Sequence, residues 1–135
     1  MKNCEGSVSA LLVGEYSQDA KVVWDVFGRC GWHLRQMVSR AQAVAYARRH
    51  VVQVVIAQST AWQSMLDELR ALPNPPQLVV TSRTADDYLW SAVLNHGGFD
   101  VLPQPFDRDE LQRVIAAAAR RASSPPLQAT AGKVA

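Results

Sequence analysis

Polar residues stand where the apolar runs of this sequence stop, and they carry most of the chemistry it offers. The run Gln53-Val54-Val55-Ile56-Ala57 ends at Gln58, followed by the hydroxyls of Ser59 and Thr60. The run Ala10-Leu11-Leu12-Val13 ends at Gly14-Glu15, and Leu78-Val79-Val80 ends at Thr81-Ser82. A shorter pair, Val101-Leu102, is followed by Pro103-Gln104-Pro105. A carboxamide such as Gln58 is neither a nucleophile nor a strong metal ligand. Glu15 is the one carboxylate in this set. A single carboxylate is a thin donor set for a hard cation.

Other chemistry-bearing residues read as structural. Cys4 and Cys30 fit no metal spacing and are expected as reduced thiols. Arg48, Arg49 and His50 read as the solvated end of a helix, where cations are favourable. His96 reads as a packed or end-of-helix histidine. There is no P-loop, no G-x-G-x-x-G, no zinc-type cluster and no visible Ser/His/Asp set.

The elements that must position these residues follow from patterning. Short β-branched runs between polar punctuation read as strands buried on both faces. Helical spacing separates them. Val22, Val23, Val26, Phe27 and Cys30 stripe a first helix, capped by Ser17 and stopped by Gly31. Trp32 to Met37 is a weaker edge strand. Ser39 caps a second helix with Ala41, Val44, Ala45 and Arg48 on one face. Trp62, Met65, Leu66 and Leu69 stripe a third. Pro73-Asn74-Pro75-Pro76 forces a turn. Leu89, Ala92, Val93 and His96 point inward from a fourth helix, which Gly97-Gly98 stops. Asp107 and Glu110 form a capping box for a fifth, with Leu111, Val114, Ile115 and Ala118 on its core face.

Strands alternating strictly with helices imply a parallel sheet with helices on both faces. The 135 residues, 48% hydrophobic and 19% charged, suit one globular domain over residues 8–122. Residues 1–7 and 123–135 read as tails, the second a flexible tail or linker remnant. A net charge of +2 is too small to imply nucleic acid. No apolar run approaches the roughly 20 residues of a membrane span, and none at the N-terminus resembles a signal peptide. A cytoplasmic protein is expected.

The stretch Gly97-Gly98-Phe99-Asp100-Val101-Leu102-Pro103-Gln104-Pro105-Phe106-Asp107 resembles the end of a bacterial response-regulator receiver domain. In that family a Gly-terminated fourth helix leads into a short strand, Lys-Pro-Phe and a capped fifth helix. The resemblance runs from about residue 8 to residue 122 through the order and spacing of five βα units. It implies a flavodoxin-like, doubly wound (βα)5 three-layer sandwich with parallel sheet order 2-1-3-4-5.

The resemblance also implies site residues, and several depart from the family pattern. Gly14 and Glu15 stand where two acids bind Mg²⁺. Gln58 stands at the phosphate-accepting Asp. Thr81 matches the switch Thr or Ser, Gln104 replaces the Lys, and Val101 replaces the switch aromatic. Pro105 matches the proline after the Lys, so a cis Gln104–Pro105 bond is implied. Acyl-phosphate formation needs a carboxylate nucleophile, which Gln58 lacks. Two readings of the altered site stand side by side. Glu15, Gln58, Thr81 and Gln104 close on one another through hydrogen bonds without metal, or they have drifted to solvated polar residues.

The resulting expectation is a non-phosphorylatable pseudo-receiver. It is not an enzyme, needs no cofactor or Mg²⁺, and works by protein contact in two-component-type signalling or a phosphorelay. Its contact face is the fourth helix, fifth strand and fifth helix, where Trp90, Leu94, Ala116 and Ala117 fall off the core stripes. The partner is another signalling protein or a second copy in a homodimer. The alternatives are a regulator phosphorylated at Ser59 or Thr60, and a small-ligand binder at the strand carboxyl ends.

Overall fold

A computed structural model describes residues 6–16 and 18–123. The continuous apolar runs become strands β1 (Ser9–Val13), β3 (Val54–Gln58) and β4 (Gln77–Ser82). The weaker ones become β2 (His33–Met37) and β5 (Asp100–Pro103). Five helices alternate with them: α1 (Asp19–Cys30), α2 (Arg40–Arg49), α3 (Trp62–Arg70), α4 (Asp87–His96) and α5 (Arg108–Ser123). All strand pairings are parallel, and the sheet order is β2-β1-β3-β4-β5. Strict alternation implied the parallel sheet, and the resemblance to receiver domains implied this flavodoxin-like strand order.

Side chains alternate across a strand, so each central strand feeds two cores. Ala10, Leu12, Val54, Ile56, Val79 and Leu102 pack under α1 and α5. Leu11, Val13, Val55, Ala57, Leu78, Val80 and Val101 pack under α2, α3 and α4. β2, at the sheet edge, has His33, Arg35 and Gln36 exposed with Leu34 and Met37 half-buried.

The helix ends follow their chemistry. Ser39 caps α2 by accepting from the Gln42 amide at 3.2 Å. Asp86 caps α4 and Asp107 caps α5, each accepting an amide at 2.9 Å. Gly31 and Gly97 take left-handed backbone after α1 and α4. A Cβ on the next residue, Gly98, would lie 2.5 Å from Val93 Cγ1, so both glycines of the α4 stop are required.

Some expectations are corrected. Residue 17 lies outside the described residues, and the N-cap position of α1 is Gln18, which makes no side-chain capping bond. The buried face of α2 is Ala43 and Val44, with Tyr46 and Ala47 partly covered. Ala41, Ala45 and Arg48 are exposed. Alanines lie all round this helix, so apolar spacing alone does not define its phase. His96 is exposed rather than inward. Its Nδ1 donates to the Ala92 carbonyl at 2.9 Å, and its ring stands edge-on to Trp62. Cys30 is disulfide-bonded rather than a reduced thiol; Cys4 lies outside the described residues. So do 1–5 and 124–135 of the expected tails. Among the described residues no helix is long and apolar enough to cross a membrane.

Candidate functional site

The strand order reverses between β1 and β3, and in open α/β sheets ligands bind beyond the carboxyl ends at such a point. Here β1 delivers Gly14 and Glu15, and β3 delivers Gln58. Gly14 turns the chain with φ of 118°, and its amide donates to the Met37 carbonyl at 2.9 Å. Gln58 folds back over that turn. Its Nε2 donates to the Glu15 carbonyl at 2.7 Å. Its Oε1 lies where a side chain on residue 14 would begin: an added Cβ would be 2.6 Å away. The Glu15 side chain is exposed.

Thr81 pairs with Gln58 in strand register, yet its hydroxyl turns elsewhere. It sits 2.9 Å from the Tyr16 hydroxyl and 3.5 Å from the Ala57 carbonyl oxygen, to which it donates. Tyr16 is buried and tilts against Phe106, with ring centroids 6.2 Å apart. Burial pushes the Tyr16 phenol well above its ordinary value near 10, so it stays neutral. The Thr81 contact opposes that rise only in part.

Gln104 belongs to a second network. Its Nε2 donates to Asp19 Oδ2 at 2.7 Å. Arg83 Nη2 donates to the same oxygen at 2.8 Å. One carboxylate from the first turn of α1 therefore ties the β4–α4 and β5–α5 loops together. Asp19 is only 8% exposed, whereas most of the Arg83 side chain is in solvent. The Gln104–Pro105 peptide bond is cis.

The four expected site residues thus join different partners. Among the described residues no hydrogen bond links the side chains of Glu15, Gln58, Thr81 and Gln104 to one another. Of the two readings of this site, the mutual closure is not formed; Gln58, Thr81 and Gln104 instead make separate contacts with the Glu15 backbone, Tyr16 and Asp19. Sequence reading missed Tyr16, Asp19 and Arg83. An Asp in the first turn of a helix reads as a dipole partner, and nothing local marks its two donors 64 and 85 residues away.

Magnesium suits this donor set poorly. Among the described residues no three His, Cys, Asp or Glu side chains cluster to hold a metal. The carboxylate at the end of β1 faces solvent. Asp19, the nearest further acid in the chain, already receives a guanidinium and an amide on one oxygen.

On the far side of Gln58 a small cleft is lined by Val13, Gly14, Val38, Arg40, Ala57, Gln58, Thr60, Ala61 and Met65. Ser59 is half-buried and Thr60 exposed. At the other edge of the sheet, Trp90 and Leu94 are about half exposed, at 48% and 47%. Trp90 Nε1 donates to Asp100 Oδ1 at 2.9 Å. Val101 is buried beneath it and lines a cleft with Ala85, Asp86, Asp87, Trp90, Pro103 and Glu110. Ala116 and Ala117 are half-buried, and Ala116 packs on the core.

The structure is similar to solved receiver domains. One is the signal receiver domain of a putative Luxo repressor protein from Vibrio parahaemolyticus, with TM-score 0.76, 17% identity, and coverage of 87% of this chain and 93% of that one. Another is a putative response regulator from Chloroflexus aurantiacus, with TM-score 0.76, 17% identity, and coverage of 86% and 100%. A third is the receiver domain of a sensor histidine kinase from Pseudomonas aeruginosa, with TM-score 0.72, 22% identity, and coverage of 85% and 99%. That protein has a magnesium ion coordinated in its active-site cleft. No family model matches the present sequence. No curated protein matches it either. At these identities the likeness establishes the fold of a response-regulator receiver domain.

Proposed function

We propose that residues 8–122 form a pseudo-receiver: a receiver-fold signalling domain that works by protein contact and does not accept phosphate. The observation that carries this reading is Gln58. It stands at the end of the central strand with its amide committed to the Glu15 carbonyl and its oxygen over Gly14. A carboxamide cannot form an acyl phosphate. Glu15 and Asp19 do not converge into a magnesium site, so the like-charge repulsion that a metal relieves in a three-carboxylate pocket is absent. No cofactor is needed, and the domain catalyses nothing of its own.

Incubation with acetyl phosphate and Mg²⁺, read by intact mass, tests the reading. The mass is expected to stay unchanged. A stoichiometric gain of one phosphoryl group overturns it. Thr60 is exposed beside the cleft at the end of β3 and is the best-placed alternative acceptor, ahead of half-buried Ser59. Peptide mapping of a phosphorylated product would show whether either hydroxyl is used.

A further inference from the structure

We infer that copies of this chain associate head to tail, the acidic face around α4 and β5 of one copy receiving the basic edge formed by β2 and α2 of the next. This deepens the contact-based function proposed above by naming the partner as a second copy.

The two faces carry opposite charge. From Val26 to Leu66 the sequence has five arginines, two histidines and no Asp or Glu. Arg29 and Arg40 are taken up by Asp25 and Glu68. Arg35, Arg48, Arg49, His33 and His50 remain, all exposed. They are held on a built surface: the Arg35 guanidinium lies 5.0 Å from the centre of the Tyr46 ring, and Tyr46 stacks on His50 at 4.1 Å.

From Thr84 to Gln112 the balance reverses, with six acids and a single arginine. That arginine, Arg108, turns away to pair with Asp25 on α1. Among the described residues none of the six carboxylates makes an ion pair. Asp86 and Asp107 cap helices, and Asp100 receives the Trp90 indole. Asp87 and Glu110 make no ion pair among the described residues. Arg113 and Arg120 lie further along α5, in a separate hollow with Asp109.

The cleft on the acidic face is lined by apolar Trp90, Val101 and Pro103 and by the carboxylates of Asp86, Asp87 and Glu110. That combination fits an arginine, whose stem is apolar and whose planar guanidinium stacks on indole while pairing with carboxylates. Exposed apolar residues flank both faces: Tyr88 and Leu94 on one, Val38 and Val51 on the other. A twofold dimer centred on the cleft would instead set Asp86, Asp87 and Glu110 against their own copies, which like-charge repulsion opposes.

Topology makes the pairing open-ended. β2 and β5 are opposite edges of the sheet, and α2 and α4 lie in the same helical layer. One copy can therefore use both faces at once, and a heterologous contact of this kind extends as a chain unless it closes into a ring.

Sedimentation velocity over a concentration series tests this at ~20 mM and ~1 M salt, because exposed charge pairs are strongly screened at the higher value. Mass-averaged association is expected to grow with concentration at low salt and to vanish at high salt. Arg48→Glu/Arg49→Glu and Asp87→Lys/Glu110→Lys should each be monomeric alone, with circular dichroism as the folding control. Mixed one to one, they should form a complex, since the acidic face of the first then meets the basic face of the second. A wild-type monomer at every concentration overturns the proposal. So does association that survives Arg48→Glu/Arg49→Glu, or variants that fail to combine. Phosphoryl uptake is read separately by mass, so failure here leaves the acceptor question where it stood.

Discussion

Gln58 occupies the space that a side chain on Gly14 would need. An ideal Cβ on Gly14 would lie 2.6 Å from Gln58 Oε1 and 3.0 Å from its amide carbon, and Gly14 has φ of 118°. The ends of β1 and β3 are thus matched to each other: the missing side chain at one admits the folded-back amide of the other. Together they fill the switch point of the sheet with a neutral contact.

Gly14→Ala is expected to destabilise the domain by about 2 kcal/mol or more, through both clash and backbone strain. Adding Gln58→Ala should remove the clash and leave only the backbone strain. Urea denaturation of the two single variants and the double variant measures this as a non-additive cycle. Additive effects would mean that the two residues do not share space.

Asp19 is the hub of the second network. Asp19→Ala removes the shared acceptor of Gln104 and Arg83, and about 1–2 kcal/mol of stability should go with it. The Arg83 share is small because that side chain is largely solvated. Asp19→Asn keeps an acceptor oxygen and should cost less. Hydrogen exchange should quicken in the loops around residues 83 and 104 for Asp19→Ala. Unchanged exchange there would show that the carboxylate does not hold the loops.

The sheet was legible from sequence because β1, β3 and β4 are buried on both faces and so read as unbroken apolar runs. The stops at Gly31, Gly97 and Gly98 were legible because each answers a local backbone demand. Side-chain destinations were not. Gln58, Thr81 and Gln104 stand at recognisable strand ends, but their partners are a backbone carbonyl, a buried phenol and a helix-terminal carboxylate, each distant in sequence. Nothing in the local pattern around Tyr16 says that it will reach Thr81, 65 residues on. The phase of α2 failed for a different reason, since a helix with alanine on every side has no stripe to read.

Tyr16 gives a pH prediction with a definite sign. Its phenol titrates near 10 when unfolded and higher when folded, because burial disfavours the phenolate. The stability this contributes is complete below pH 10 and is lost as pH rises through the folded value. The contribution of Tyr16 to the denaturation midpoint should therefore not vary with pH near neutrality, and the midpoint should fall above about pH 10. Tyr16→Phe should flatten that alkaline fall. It should also cost about 1 kcal/mol at pH 7, because Thr81 Oγ1 keeps only the long contact to Ala57. An alkaline limb identical in both proteins would mean that Tyr16 is not the group responsible.

Trp90 separates fold from contact. Its indole lies about half exposed on α4, hydrogen-bonded to Asp100, and lines the acidic cleft. Val101 beneath it is small and fully packed, so the strand offers no bulky ring that could swing between two positions. A partner can shift a conformational equilibrium only through different affinities for its two states. On the proposed contact-based reading, α4 and β5 hold one arrangement and the face itself carries the signal. Trp90→Ala should leave circular dichroism unchanged and weaken association by about 2 kcal/mol, or roughly thirtyfold. Trp90→Phe keeps a ring but loses the bond to Asp100, and should fall between the two. Light scattering and sedimentation of the three proteins decide the matter. Unchanged association in Trp90→Ala would remove this face from the argument, whereas loss of the fold would make Trp90 a core residue despite its exposure.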